Sequence, residues 1–165
     1  CTSTIKKLWP GVNKETVELK PFEVLAEKTI DINAFLVDII GVSAPGTTGD
    51  NPNMAVTYHD PCHLKKSLNV HAQPRAVLKA AGYTIHEMKK PDQCCGMGGS
   101  FNLLHYDLSK EIGQIKADQI VETGCRTIAS GCPACMIQIS DMLSQAQSQI
   151  QVRHPIELYA ASLSR

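Results

Sequence analysis

Five cysteines with an unusual spacing define the chemistry that this sequence could perform. They read Cys-x31-Cys-Cys-Gly-x35-Cys-Pro-Ala-Cys and are Cys62, Cys94, Cys95, Cys132 and Cys135. Thiolates are soft, anionic ligands, and soft metals are what such groups hold. The spacing therefore predicts that the five side chains converge on one metal centre, with an iron–sulfur cluster as the favoured occupant.

The residues around these cysteines suit an anionic cluster. Gly96, Gly98 and Gly99 follow the adjacent pair, and glycine lets backbone N–H groups come close to sulfide without a side chain in the way. The Cys132–Cys135 turn lies at a predicted helix start, where free amides and the helix dipole favour negative charge. Both features favour a site for negatively charged sulfur.

Two simpler interpretations use only part of the cysteine set. A single Cys-x-x-Cys is also found in zinc sites and, after a strand and before a helix, in thiol redox pairs. Structural zinc takes four ligands, so neither alternative accounts for an adjacent pair and a fifth cysteine at matching positions. Zinc, a redox pair and a structural role for the thiols remain the alternatives to a cluster.

Four other residues near the motifs have expected roles. His59 and His63 flank Cys62 and could donate a hydrogen bond to a cluster sulfur or replace a thiolate. Asp60 is expected to cap or brace its turn. Cys125 lies outside the pattern and is expected to be a buried small hydrophobic residue.

Composition describes an ordinary globular protein and excludes several classes of function. The 165 residues are 43% hydrophobic and 19% charged, with 16 basic and 16 acidic residues. This balance gives no basic excess for nucleic acid or an anionic membrane. No apolar run is long enough to span a bilayer. The odd count of 7 cysteines argues against a secreted disulfide scaffold and favours a reducing, cytoplasmic location.

Strand and helix patterns alternate through the second part of the chain. Strands are predicted at 54–59, 83–88, 126–130 and 151–153. Helices are predicted at 74–81, after the loop that contains Gly96, Gly98 and Gly99 (the glycine loop), from Cys132-Pro133 onward and from Pro155. The helix after the glycine loop has an apolar stripe of Leu104, Leu108, Ile112 and Ile115. The helix from Cys132-Pro133 is expected to face the core with Met136, Ile139, Leu143 and Ala146. Such alternation predicts an α/β fold with a parallel sheet of about four strands and helices on both faces. The cysteines follow the first three strands, and ligands of open α/β sheets lie beyond the carboxyl ends of the strands.

A helical segment is predicted before this domain. Helices are expected over residues 1–8 and 15–29 and from the N-cap Asp31, whose helix carries apolar residues at Ile32, Phe35, Leu36, Ile39 and Ile40. The predicted organisation is a helical tail of a preceding repeat at 1–42, a linker at 43–53, rich in Gly, Pro, Asn and Thr, and a cysteine-rich domain at 54–165.

Three linked motifs resemble a known family. They are His59-Asp60-Pro61-Cys62-His63, Cys94-Cys95-Gly96-Met97-Gly98-Gly99 and Cys132-Pro133-Ala134-Cys135. They resemble the cysteine-rich CCG domain found in the B subunit of heterodisulfide reductase and in the iron–sulfur subunits of glycolate oxidase, anaerobic glycerol-3-phosphate dehydrogenase and lactate-utilisation proteins. Glu27 to Ile32 with Phe35-Leu36 is most similar to the glycolate oxidase type.

The resemblance implies a cofactor, partners and a role. Cys62, Cys94, Cys95, Cys132 and Cys135 each match the cysteines that hold a [4Fe-4S] cluster, in the reductase a non-cubane one, which an isolated fragment can lose. A module of this kind would carry electrons from a flavin-containing 2-hydroxy-acid (glycolate or lactate) dehydrogenase subunit to a quinone or other carrier. Alternatives are a catalytic disulfide reductase module and a zinc-stabilised interaction domain.

The resemblance also implies further parts of the same chain. Family members carry a ferredoxin-like part and a first CCG copy upstream, of which Cys1 would be the last cysteine. The expected location is cytoplasmic, with a peripheral position at the inner membrane through partners as the alternative.

Overall fold

A four-stranded parallel sheet forms the centre of the molecule. The computed structural model describes residues 2–12, 20–43 and 54–164. Its strands are β1 (Ala55–His59), β2 (Thr84–Ile85), β3 (Thr127–Ser130) and β4 (Gln151–Arg153), in the spatial order β2-β1-β3-β4. All three pairings are parallel. The predicted α/β fold is therefore confirmed.

Seven α-helices and several short turns surround the sheet within the described ranges. The α-helices are α1 (Lys20–Lys28), α2 (Ile32–Ala34), α3 (Ala72–Ala80), α4 (Ser100–Leu104), α5 (Tyr106–Glu122), α6 (Pro133–Gln145) and α7 (Pro155–Ser162). The π-helical turns are Thr4–Leu8, Phe35–Ile39 and His63–Ser67, and a 3-10 turn spans Trp9–Gly11. Among the helices described, none is both long enough and apolar enough to pass through a membrane.

The helices cover the two faces of the sheet. Successive side chains of a strand point to opposite faces, and β3 shows this directly. Ile128 packs with the inner residues of α5 and α6, whereas Ala129 packs with those of α3 and, through Leu158, α7. Each face therefore has its own apolar core, and β1 and β3 lie between the two.

Strand β1 carries polar side chains into the interior. Val56 and Tyr58 belong to the α3 core, so Thr57 and His59 point to the opposite face, towards α5 and α6. Thr57 and His59 are 0% and 1% exposed, respectively. A buried histidine needs a polar partner. His59 lies at the carboxyl end of β1, which is the edge of the sheet where the candidate site is found.

The predicted helical segment before the domain is confirmed, but its apolar face is not the buried one. Asp31 caps α2 as predicted, because its carboxylate accepts hydrogen bonds from the amides of Asn33 and Ala34. The segment contacts the domain through Asn33 and Ala34, which are buried, whereas Phe35 and Ile39 are exposed. Cys1 and all but the first residue of the predicted linker at 43–53 lie outside the described residues.

Two predicted elements are wrong in detail. The second strand, predicted at 83–88, pairs only over Thr84–Ile85. The helix after the glycine loop is broken at His105, and its predicted apolar stripe is largely solvent-exposed. Leu104 is 74% exposed, Leu108 50% and Ile115 49%. The buried face of α5 instead consists of Ser109, Gly113, Lys116, Ala117 and Ile120.

Helix α6 follows its prediction more closely. Ile139 and Leu143 are buried as expected, together with Cys135, Gln138 and Met142. Ala146, predicted to face the core, is the exposed residue that ends the helix. Of the pair Cys132 and Cys135, the helix therefore places Cys135 in the interior.

Candidate metal centre

The strand order creates a crevice at the position where the cysteines emerge. From β1 the chain moves outward to β2, and it then returns to the other side of β1 as β3. β1 and β3 therefore flank a topological switch point, and their last residues, His59 and Ser130, are direct partners in the sheet. Open α/β sheets bind ligands at such a point. Cys62 follows β1 and Cys132 follows β3, at this edge of the sheet.

The structure brings the motif cysteines together at this edge. The Sγ atoms of Cys95 and Cys135 and a ring nitrogen of His59 all lie within 4.8 Å of one another. Cys94 and Cys132 are hydrogen-bonded to this core, through Cys95 and Cys135 respectively. Cys62 is close enough to Cys94 to affect its ionisation. Three separated turns thus meet, although the role of all five cysteines as ligands stays a prediction.

Hydrogen bonding favours thiolate at two of these cysteines. A hydrogen bond from Cys135 and the amides of Cys135 and Ala134 lower the pKa of Cys132 to about 5. Hydrogen bonds from Cys135 and Cys94 also lower the pKa of Cys95. The donors Cys94 and Cys135 correspondingly have raised pKa values. Because the thiolate is the form that binds metal, the site is prepared for a cation.

His59 has one ring nitrogen free for this site. Its Nδ1 lies 3.1 Å from the carbonyl oxygen of Pro91. A carbonyl can only accept, so Nδ1 carries the hydrogen, and in the neutral ring Nε2 presents a lone pair. Nε2 is buried and has no hydrogen-bond partner among the described residues. Buried thiols beside an unsatisfied imidazole nitrogen fit a metal or iron–sulfur group. The second histidine beside Cys62, His63, is exposed.

The loop after the adjacent cysteines is held against α5 by close backbone contact. Gly96 has a φ of +93°, and a Cβ there would lie 2.3 Å from the Ser109 carbonyl oxygen. Its amide donates to Cys94 Sγ at 3.4 Å. Only glycine meets both the backbone conformation and the close approach. This requirement explains why the cysteine pair is followed by glycine.

A buried polar network that the motifs did not indicate also fixes this loop. Ser109 Oγ donates to the Gly96 carbonyl at 2.8 Å. Asn102 Nδ2 donates to Ser109 Oγ at 2.8 Å and to Gln138 Oε1 at 2.9 Å. Gln138 lies one helical turn after Cys135, so the network joins the loop to α6. In the sequence, the only indication of this network is the presence of small and polar residues on one face of α5.

The turn that carries Cys62 is braced by buried charge. Asp60 is 2% exposed and accepts from Arg75 Nη1 at 2.8 Å and from Nη2 at 3.1 Å. Arg75 also binds Glu87 and lies over the Tyr58 ring, 4.9 Å from its centroid. The backbone N–H of Asp60 donates to the Pro91 carbonyl. Asp60 therefore braces its turn, as expected from the sequence, and Arg75 is the partner that the sequence did not identify.

Replacement of Asp60 by Asn should destabilise the chain measurably. The change leaves the half-buried Arg75 without one of its two carboxylates, and hydrogen bonds to charged groups contribute about 1.5–3 kcal/mol. We expect the free energy of unfolding in urea to fall by about that amount. The matched control is Glu122→Gln, which breaks the exposed Lys89–Glu122 pair and should have no measurable effect. Equal stability of the two variants would contradict this assignment.

Cys125 behaves as the sequence suggests. It is buried at 3% exposure just before β3, and burial raises the pKa of its thiol. It is not part of the group formed by His59, Cys95 and Cys135.

Comparison with known proteins gives a family and a group of relatives. The sequence model of a family described as the cysteine-rich domain CCG matches residues 56–140. This span runs from the second residue of β1 through β3 and most of α6, and it contains all five motif cysteines.

Two of the relatives are named as subunits of reductases, and a third is named for lactate utilization. The chain is 32% identical over 160 residues to the B subunit of the fumarate reductase (CoM/CoB) of Methanothermobacter marburgensis, covering 96% of this chain and 30% of that protein. It is 30% identical over 135 residues to lactate utilization protein A of Oceanobacillus iheyensis, covering 81% and 54% respectively. It is 34% identical over 168 residues to the D subunit of the dihydromethanophenazine:CoB–CoM heterodisulfide reductase of Methanosarcina barkeri, covering 99% and 39%. The chain therefore spans between about a third and about half of the length of these relatives.

Proposed function

From the premise that the chain belongs to the family of cysteine-rich CCG domains, we propose that it is the iron–sulfur electron-transfer module of an oxidoreductase complex. The observation that carries the proposal is the convergence of Cys95, Cys135 and the unsatisfied Nε2 of His59 at the switch point of the sheet. Relatives named as reductase subunits and as a lactate utilization protein support a redox role.

We assign the cluster to Cys62, Cys94, Cys95, Cys132 and Cys135. When bound, such a cluster supplies a site that accepts and releases single electrons. The chain provides the thiolates, with low pKa values favoured at Cys95 and Cys132. The core side chains around Cys95 and Cys135, among them Met88 and Ile128, exclude water from one side of the site. Cys62 and Cys94 are exposed, so electrons would enter or leave on their side.

The partner that we propose is a flavin-containing dehydrogenase subunit for a 2-hydroxy acid such as glycolate or lactate. The relative from Oceanobacillus iheyensis, named for lactate utilization, supports this choice. Electrons would pass from the flavin through this module towards a quinone or another carrier. The location proposed for the complex is the cytoplasm, or the inner membrane surface where the partners reside.

We propose that residues 1–42 are the tail of a preceding copy of the same domain. Its apolar side chains at Ile32, Phe35, Ile39 and Ile40 are exposed, although their spacing is that of a buried helix face. We propose that the remainder of a first cysteine-rich copy, with a ferredoxin-like part before it, covers these residues in the full protein.

A second candidate function is the reduction of a disulfide substrate at the cluster. The observation that favours it is a cleft of about 330 Å³ beside the site, to which Cys132, Gly131, His63 and Asp31 contribute. A small substrate in this cleft would contact Cys132 directly. The relative named as part of a heterodisulfide reductase supports this alternative.

Anaerobic reconstitution tests the proposal. The chain is purified without oxygen, supplied either with iron and sulfide or with zinc, and analysed for bound metal, acid-labile sulfide and visible absorption. We expect stoichiometric iron and sulfide with a broad visible absorption that dithionite bleaches. Binding of zinc alone, with no uptake of iron, would instead support a zinc-stabilised interaction domain.

The same preparation separates the two redox functions. Reoxidation of the reduced chain by a small organic disulfide, with release of two thiols per two electrons, would favour the reductase. Reduction by the flavin partner, followed by reoxidation only by quinone analogues, would favour electron transfer.

A further inference from the structure

A lysine on α5 is completely enclosed by the protein. Lys116 is 0% exposed, and it lies on the inner face of the helix with Gly113 and Ala117. Lysines are almost never fully buried unless they are paired, because burial of an isolated ammonium group costs a large free energy. The position of Lys116 therefore requires an electrostatic explanation.

The direct partners of Lys116 are neutral. Its Nζ donates to the carbonyl oxygen of Lys90 at 2.6 Å and lies 3.4 Å from Met88 Sδ. Within the part of the chain that the structure describes, Lys116 forms no salt bridge with a carboxylate. The nearby acids Asp60 and Asp92 are engaged by Arg75 and Lys65. The ammonium group of Lys116 therefore has hydrogen-bond partners, but none of the carboxylates named here is paired with it.

The core that encloses Lys116 is shared with the sulfur site. Met88, which its Nζ contacts, packs in the same core cluster as Cys95 and Cys135. Burial lowers the pKa of Lys116 to about 8, and the largest opposing contribution comes from Cys95, ahead of Asp92, Cys94 and Asp60. With a pKa of about 8 most of the Lys116 side chain keeps its proton at pH 7, and Cys95 is the largest source of the negative charge that stabilises the ammonium form.

We propose that Lys116 is a fixed positive counter-charge for the sulfur centre and that it raises the reduction potential of the bound cluster. The inference rests on the iron–sulfur function proposed above. Reduction adds one electron from an external donor to the centre, while no protein bond forms or breaks and Lys116 keeps its proton. A positive charge held in a low-dielectric interior stabilises the more negative, reduced state more than the oxidised state.

Redox titration of charge-neutral variants tests the proposal. Lys116→Met removes the charge and keeps an unbranched apolar side chain, while Lys116→Gln also keeps a hydrogen-bond donor for the Lys90 carbonyl. Both are reconstituted anaerobically, and their midpoint potentials are measured by dithionite titration monitored through visible absorption. We expect the ratio of reduced to oxidised centre at a fixed potential to fall about tenfold, which for a one-electron couple is about 59 mV.

The matched control is Lys110→Met, on the same helix. Lys110 is exposed, so the same loss of charge occurs in water and should leave the potential unchanged. Thermal unfolding gives a second readout. Metal-free Lys116→Met should be at least as stable as the wild-type chain, because a buried charge has been removed, whereas loading with the cluster should stabilise it less than it stabilises the wild type.

Each other outcome overturns the inference. A potential of Lys116→Met equal to that of Lys110→Met would show that the charge does not act on the centre. A wild-type potential in Lys116→Gln alone would assign the effect to the hydrogen bond to Lys90. Failure of both neutral variants to fold would mean that the polypeptide itself needs the charge. If the wild-type chain takes up no iron, the proposed function fails and this inference fails with it.

Discussion

Replacement of Cys95 by Ser should abolish the metal centre while leaving the fold in place. Cys95 is 3% exposed and lies with Cys135 and His59 in the group whose ligand atoms are within 4.8 Å of one another. A serine hydroxyl stays protonated at neutral pH and is a poor ligand for soft metals. We expect the variant to lose essentially all iron, sulfide and visible absorption after anaerobic reconstitution.

The chain contains a matched control for this change. Cys125 is also 3% exposed but lies outside the site, before β3. Cys125→Ser introduces the same hydroxyl into a buried position, so it should cost stability of similar size and keep the full iron content. If both variants retained iron and the same spectrum, Cys95 would not be a ligand and the proposed centre would be wrong.

Replacement of Gly96 by Ala should cause the largest loss of stability of any single methyl addition discussed for this chain. A Cβ at Gly96 would lie 2.3 Å from the Ser109 carbonyl oxygen and 3.1 Å from the Gly113 amide nitrogen, both backbone atoms of α5. The left-handed backbone costs about 1–2 kcal/mol for alanine, and overpacking adds about 1–3 kcal/mol. We expect the free energy of unfolding to fall by about 3 kcal/mol or more.

Gly124→Ala separates the two contributions. Gly124 has a φ of +70°, similar to that of Gly96, but nothing lies within 4 Å of its Cβ position. Its replacement should therefore cost only the backbone contribution of about 1–2 kcal/mol. Urea unfolding of both metal-free variants, followed by circular dichroism, measures the difference. Equal losses would show that the loop does not approach α5 as closely as described.

The local sequence signals located the elements and indicated a parallel sheet, but they did not give the order of its strands. Turn residues and apolar runs place β1, β3 and β4 to within a residue, because these strands are defined by short-range patterns. The order β2-β1-β3-β4 depends on which strands pair, and pairing is a long-range choice that no local pattern encodes. That order places β1 beside β3, and the topological switch point therefore lies between these two strands.

The inner face of α5 explains the main error. The sequence favours Leu104, Leu108 and Ile115 as the buried stripe, because apolar residues usually face the core. The glycine loop instead packs against the backbone of α5 and accepts a hydrogen bond from Ser109, while Met142 and Gln138 of α6 leave no room for a Cβ at Gly113. Tertiary contact overrides hydrophobic periodicity at the element that supports the site.

The histidine shows the same limit. His59 ends the strand predicted at 54–59 and His63 lies beyond it, but both flank Cys62 and the sequence does not say which of them faces the site. Its burial follows from the position of β1 in the middle of the sheet, and its free Nε2 follows from the hydrogen bond of Nδ1 to Pro91. Both are consequences of the fold rather than of the motif.

The thiols that meet at the switch point come from three distant turns, at Cys62, at Cys94-Cys95 and at Cys132 to Cys135. Any ion bound to all three would tie the ends of β1 and β3 and the loop after β2 into closed covalent rings. Such cross-links reduce the freedom of the unfolded chain much as disulfides do, and long rings restrict it more than short ones. The centre would then stabilise the sheet as well as carry electrons, and oxygen damage to the cluster would destabilise the fold that holds it.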